Sequence, residues 1–407
     1  MAHIAIIGAG AAGIFAALQK HNAQDEVFLI DSNEKIGRKL AATGAGRGNL
    51  TNLNLTAEHY HGKPKRFIQQ VLKEHTSLTI RDQLAQLGIL TYATDDGWVY
   101  PISNSAANVR DILSSHVEQC DVNFLLNETV TQVQHNRHGF LIHFASNREP
   151  IMVDKVLITT GGAAAPQLGA DTTIFESLIK FGVAIHPLRP ALAPITTETK
   201  AIKRLSGVRL DVTLSLYDHQ ARLGRNTGNL IFTNWGVNGP AAMNLSYLVR
   251  DDKNSKYELE IDFIPGNAKH IRDLFQNYEK TDFPVQSVLK TILPFKIIQW
   301  AMDKLSLPAR LKTNEINRTQ TEKLIDILTH FRLPVIGTRG YQFAQLSTGG
   351  IDLSEINWST MESHKVKGLY FAGEILHVNA PCGGYNLHWA FSTGMIAGKH
   401  LFGETEE

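Results

Sequence analysis

Gly8-Ala9-Gly10-Ala11-Ala12-Gly13 carries the glycine spacing with which a main chain cradles a pyrophosphate. Gly8 permits a tight turn, Gly10 lets backbone approach phosphate, and Gly13 lets a helix pack close to the preceding strand. The helix start, at Ala11 and Ala12, would offer unpaired N–H groups and positive partial charge to the phosphates. Asp31 ends the next apolar run, close to the ~20-residue offset at which an acid accepts from ribose hydroxyls. Ser32 beside it and Val130 join the same expected cofactor set. This spacing serves FAD and NAD alike.

Three further stretches could touch such a ligand. Gly37-Arg38-Lys39 and the run Thr43-Gly44-Ala45-Gly46-Arg47-Gly48-Asn49 combine small residues, which admit close backbone approach, with basic ones. Arg38, Lys39 and Arg47 would neutralise a diphosphate, and Asn49 and Asn52 would bond sugar or ring edges. Thr159-Thr160-Gly161-Gly162 follows a buried strand and reads as a strand end over the nucleotide. Leu369–Ala372 leads into Gly373-Glu374 and resembles the closing element of two-dinucleotide-fold flavoproteins, which implies that the acid accepts from a ribityl hydroxyl. Ala380-Pro381-Cys382-Gly383-Gly384-Tyr385-Asn386-Leu387 then opens a helix. Its first N–H groups would stabilise charge on the pyrimidine edge of a reduced flavin.

The elements that must hold these residues follow from periodicity. His3–Ile7, Val27–Ile30 and Val156–Thr160 are short apolar runs, read as buried parallel strands. Helices are expected over 11–21, 66–87, 106–120 and 387–401, and strands over 122–126, 130–133 and 140–144. Beyond about residue 187, prolines and short alternating segments (212–217, 230–233, 257–263) indicate a β-rich unit, followed by helices. The expected organisation is an α/β Rossmann-type domain built from residues 1–188 and 338–407. An insert, β-rich over 189–265 and helical over 266–337, interrupts it. The acidic tail Glu404–Glu407 reads as frayed.

The 407 residues suffice for two domains, and a net charge of +1 gives no global argument for nucleic acid or membrane. Cys120 and Cys382 form neither a disulfide framework nor a zinc cluster, so no metal is expected. No apolar run approaches the ~18 residues of a membrane span. A cytoplasmic location and no membrane partner are expected. Oligomeric state is not legible. A second Gly-x-Gly-x-x-Gly is absent from the sequence, so NADH or NADPH is expected as a transient donor rather than a resident cofactor.

Taken together, Ile7–Gly13, Ile36–Asn52, Thr159–Gly162, Phe232–Pro240, Ser347–Ile351 and Tyr370–Gly398 resemble the BaiN/RdsA-type FAD-dependent oxidoreductases. The resemblance implies FAD held by both chain ends, with an insert made of a β-barrel and a helical part. It implies reduction of an activated C=C, as in steroid enones or ribosomal-RNA uridine, or oxidation of a small aminoketone. The family loop reads Gly-Gly-Gly-Arg-Cys-Asn. Here Gly48 replaces the cysteine, so no thiol acts there. Cys382 is the first candidate proton donor because a thiol beside the flavin turn can protonate carbon. Tyr385, His377 and Tyr341 are alternatives, and each has an ordinary packing or surface reading. Ser347-Thr348-Gly349-Gly350 reads as a close backbone approach.

Lys and Arg clusters in the insert (Arg189, Lys200, Lys203, Arg204, Arg209, Arg222, Arg225; Lys290, Lys296, Lys304, Arg310, Lys312, Arg318, Lys323) suit phosphate contacts or simply a solvated face. The leading expectation is a C=C reductase acting on ribosomal RNA. The rivals are a small-molecule reductase or oxidase, and a non-catalytic flavin-bearing RNA-binding protein.

Overall fold

The strand His3–Ile7 is apolar from Ile4 to Ile7 and buried throughout that run, the pattern of a strand covered on both faces. In the computed structural model, which describes residues 2–20, 24–252 and 254–403, this strand is central. The five-stranded parallel sheet runs Leu369–Phe371, Lys155–Ile158, His3–Ile7, Glu26–Asp31, Asn123–Leu126. Ile7 pairs with Ile158 on one side and Ile30 on the other, and Ile158 pairs with Phe371. The carboxyl ends of these four strands therefore finish level. Gly8, Asp31, Thr159 and Gly373 emerge along that one edge, where open α/β sheets bind ligands.

Both chain ends build this unit. The helix Tyr385–Leu401 lies against Ala11–Ala17, and small residues set the separation. A Cβ on Gly394 would stand 2.3 Å from the Ala12 carbonyl oxygen, and one on Gly398 2.5 Å from that of Ala16. Phe15 and Phe391 stack at 4.2 Å where the helices meet. The first helix is described only to Ala17, with Leu18 as its cap; His21, like Met1 and the tail Glu404–Glu407, lies outside the described residues.

The stretch 66–87, expected as one helix, forms two: Lys65–Glu74 and Ser77–Gln86. The Thr76 hydroxyl accepts from the Thr79 amide at 3.1 Å, an N-cap that restarts the helix. The division of the chain puts residues 1–190 and 345–407 in one unit and 191–344 in the other.

The second unit holds a closed six-stranded antiparallel barrel. Its order is Ile195–Thr197, Gly236–Asn238, Ala221–Phe232, Arg209–Asp218, Tyr257–Asp262, Phe331–Thr338. Val212, Leu214, Leu216, Leu259, Ile261 and Leu333 belong to its buried core. Helices Ala268–Tyr278, Phe295–Lys304 and Arg318–Thr329 follow, the last opened by an Asn317/Gln320 capping box. The segment expected to be helical up to 337 is a strand from Phe331 onward. Phe331 and Leu333 are buried with exposed Arg332 between them, and this period of two closes the barrel. No helix among the described residues is long and apolar enough to cross a membrane.

Candidate active site

The glycine turn is shaped by its neighbours. Gly8 has φ +101°, and a Cβ there would sit 2.7 Å from the Thr159 carbonyl. A Cβ on Gly13 would stand 2.0 Å from the Gly8 oxygen, so only glycine lets the helix meet the strand. At Gly10 a Cβ would meet nothing within 4 Å: this glycine leaves open space rather than relieving a protein clash. Gly10 is extended and offers no side-chain cap, so the helix start keeps N–H groups without helical partners.

Asp31 braces the turn. One carboxylate oxygen accepts from the Ala9 amide at 2.7 Å, and the other from the Asn33 amide and side chain at 2.8 Å each. Gly8, Asp31, Ser32, Val130 and Thr160 line one narrow cleft of about 60 Å³ at the sheet edge. The Thr160 hydroxyl is buried there with no hydrogen-bond partner among the described residues.

The carboxyl-terminal strand brings Glu374 beside the second motif. Glu374 pairs with Lys39 at 2.7 Å and accepts from the Ser347 amide at 2.9 Å. The Ser347 hydroxyl in turn accepts from the amides of Ala163 and Ala164. Gly161 faces Glu374, and a Cβ on Gly373 would stand 2.8 Å from the Ala12 methyl. Arg38 is directed to Asn33 at 2.8 Å. Sequence reasoning read Ser347 only as part of a backbone turn. The signal was present in the Ser-Thr-Gly-Gly run, but the contact with Glu374 is a tertiary fact.

The loop Gly44–Asn49 and the turn Cys382–Leu387 converge. Gly44, Ala45, Gly46 and Gly48 all have positive φ, and residues 44–47 are exposed. Gly384 has φ +90°, and a Cβ there would stand 2.3 Å from the Thr51 oxygen and 2.7 Å from Asn49 Oδ1. That Asn49 oxygen is buried without a partner among the described residues. Asn52 Nδ2 donates to the Gly383 carbonyl at 2.8 Å, so its amide is spent inside the protein. Asn386 is spent likewise, on both backbone groups of Ala380. Leu387 packs against the core. Arg47 does not turn toward the glycine turn of Gly8: its guanidinium lies on the Tyr100 ring at 4.2 Å.

His388, which sequence reasoning passed over within a helix, locks this junction. Its Nε2 donates to the His75 carbonyl at 2.9 Å, which leaves Nδ1 to accept from the Thr51 hydroxyl at 2.8 Å. Burial lowers its pKa to about 3, so the ring is neutral.

The candidate proton donors differ in environment. Burial pushes the half-buried Cys382 thiol up to about 12. Tyr385, at the helix start, meets the His59 ring at a tilt and the Tyr60 ring edge-on, and burial raises its phenol too. The His377 ring lies tilted against that of His186 with centroids 4.0 Å apart, and His186 is bonded to Asp352 at 2.6 Å. Burial, with His186 next, lowers the His377 pKa. Tyr341 belongs to the second unit, in the short turn Tyr341–Phe343. Among the described residues no cluster could hold a metal ion.

Fold and site define a class, the Rossmann-type FAD-dependent oxidoreductases. The chain belongs to the HI0933-like Rossmann-domain family, whose pattern matches residues 2–400. It is 31% identical over 406 residues to a 3-dehydro-bile acid delta(4,6)-reductase of Clostridium scindens, covering 98% of each chain. It is 32% identical over 396 residues to a ribosomal RNA dihydrouridine synthase of Haemophilus influenzae, covering 95% of each. A solved 3-ketosteroid-delta4-(5alpha)-dehydrogenase of Rhodococcus jostii superposes with TM-score 0.52 at 13% identity, covering 99% of this chain and 97% of that one. That likeness concerns the fold.

Proposed function

We propose that the chain holds one FAD along the level strand ends and reduces an activated C=C, with uridine of ribosomal RNA as the preferred substrate. The observation that carries this is the meeting of the two chain ends. The open Gly10 turn, the unpartnered Thr160 hydroxyl and the unpartnered Asn49 oxygen are gaps of the kind a dinucleotide fills. When bound, FAD supplies hydride to the electron-poor carbon. Gly8, Gly10, Ala11, Ala12 and Gly13 hold the diphosphate. Ser32, Val130, Thr160 and Gly161 border the nucleoside, with Asp31 keeping the turn in shape. Lys39 and Glu374, already paired, set the middle of the cofactor. Gly44, Gly46, Asn49 and Gly384 would hold the ring, with the unpartnered Asn49 Oδ1 available as an acceptor.

Cys382 delivers the proton to the neighbouring carbon: it stands in the turn that opens the last helix, and its thiol is protonated at neutral pH. Tyr385 and His377 are the alternatives. NADH or NADPH would supply the reducing equivalents as a transient donor. The RNA reading draws support from exposed Lys290, Lys296, Lys304 and Arg310 and from the dihydrouridine synthase relative.

A second reading, a small-molecule enone reductase, has the bile-acid reductase relative behind it at nearly the same identity. Anaerobic reduction of the purified protein with NADH or NADPH, then reoxidation by unmodified ribosomal RNA or by an enone, separates the two. Dihydrouridine in the RNA is the expected product. Reoxidation by the enone alone assigns the small-molecule reaction, and reoxidation by neither removes the reductase reading.

A further inference from the structure

Arg47 is held by an aromatic face and by two neutral side chains, Tyr92 and Asn104. Arg38 is engaged by Asn33 and Lys39 by Glu374. In the same unit Arg110 and Arg148 end on carboxylates, Asp111 and Glu128. Arg47 is exposed, yet it is fixed from three sides by neutral groups. Its guanidinium lies over Tyr100, Nη2 donates to the Tyr92 hydroxyl at 3.0 Å, and Nε and Nη2 donate to Asn104 Oδ1 at 3.3 and 3.2 Å. The Tyr92 hydroxyl donates to that same oxygen at 2.7 Å.

Holding a long side chain still costs rotamer entropy. Here no carboxylate among the described residues reaches it to offset that cost. The arrangement presents a fixed positive charge with Nε and Nη2 engaged, which leaves the donors of Nη1 outside these hydrogen bonds.

The placement is at the turn already described. Tyr100, which carries the guanidinium, stands 3.7 Å from a Cβ position on Gly44. Trp98, two residues earlier on the same strand, stands 3.0 Å from a Cβ position on Gly383.

We infer that Arg47 binds the carbonyl oxygen conjugated to the substrate C=C and takes up the negative charge that develops there. This rests on the C=C reductase reading. Hydride addition at the β-carbon breaks the π bond, and its electron pair shifts through the α-carbon to oxygen. A proton then bonds to the α-carbon and the carbonyl re-forms. The hydride, which carries both electrons, would come from reduced FAD, and the proton from a separate acid. The ligand class is a planar α,β-unsaturated carbonyl, which a 3-keto-4-ene steroid and a uracil ring share.

The test uses oxidised, FAD-loaded wild type, Arg47→Ala and Arg47→Lys. Calorimetry measures binding of a 3-keto-4-ene steroid and of a uridine-containing RNA hairpin, and visible absorbance measures FAD content. Arg47→Ala is expected to keep its FAD and bind the productive probe about 10-fold more weakly, the lower end for a lost charged hydrogen bond. Its kcat/KM should fall about 100-fold, because the charge on oxygen is greatest after hydride addition. Arg47→Lys should recover part of both.

Unchanged binding and turnover in Arg47→Ala overturns the inference while the reductase reading stands. Loss of FAD from Arg47→Ala also overturns it, by making Arg47 a cofactor contact. A wild type that binds neither probe and turns over neither overturns the reductase reading, and the inference with it.

Discussion

Cys382 and His377 answer to pH in opposite ways, which makes the proton donor decidable. The Cys382 thiol, raised to about 12 by burial, stays protonated across the neutral range. A rate limited by it is flat through neutrality and falls only in strong alkali. The His377 pKa is lowered from 6.5 by burial and by His186, so a rate that needs its proton declines as pH rises through the region below 6.5. The expected profile of kcat/KM is the flat one, with Cys382→Ala losing about 100-fold while FAD stays bound. An acid-limb decline that disappears in His377→Gln would assign the proton to His377 instead. At this scale the sequence is informative where chemistry follows chain order, as in Gly8 to Gly13 or Gly384 to Leu387. It says little about Arg47, whose supports Tyr92, Tyr100 and Asn104 lie far along the chain, or about Asp31, whose oxygens brace Ala9 and Asn33.

Elements are fixed here by close approach. Gly394 and Gly398 let the last helix touch the first, and a Cβ on Gly394 would sit 2.3 Å from the Ala12 oxygen. That oxygen is backbone and cannot swing aside. Gly394→Ala is expected to destabilise the protein by about 1–3 kcal/mol, the range for overpacking, and to disturb the turn that Ala12 shares with Gly373. Thermal unfolding with FAD release as a second readout checks it; an unchanged midpoint would mean that the two helices are not held this tightly. Strand and helix types were readable wherever the apolar period was clean, as in His3–Ile7 and Tyr257–Asp262. The break at Thr76 was not, because apolar positions continue across it and the cap is a side-chain hydrogen bond. The strand Phe331–Thr338 was missed because it follows helices and carries Pro334, although its alternation was there to see.

The whole molecule depends on neutral histidines packed where the chain ends meet. Burial lowers the pKa of His75 to about 4 and that of His388 to about 3. Unfolded, each titrates near 6.5. Between 6.5 and those folded values the unfolded chain binds more protons, so stability is complete above 6.5 and is lost as pH falls toward 4 and then 3. Denaturant unfolding from pH 7 to pH 4 should record a loss of a few kcal/mol, smaller in His388→Gln. A flat curve would mean these rings are hydrated. That N- and C-terminal segments share a sheet was legible from the motifs at both ends, whereas the level strand ends come only from register. Gly10 is the most direct position to test, since a Cβ there would enter the proposed ligand space and meet no protein atom within 4 Å. Bound FAD per chain, measured in wild type and Gly10→Val beside the apo-protein melting temperature, should be one in the wild type and near zero in the variant, with the apo melt unchanged. Equal FAD in both, or none in the wild type, would contradict it.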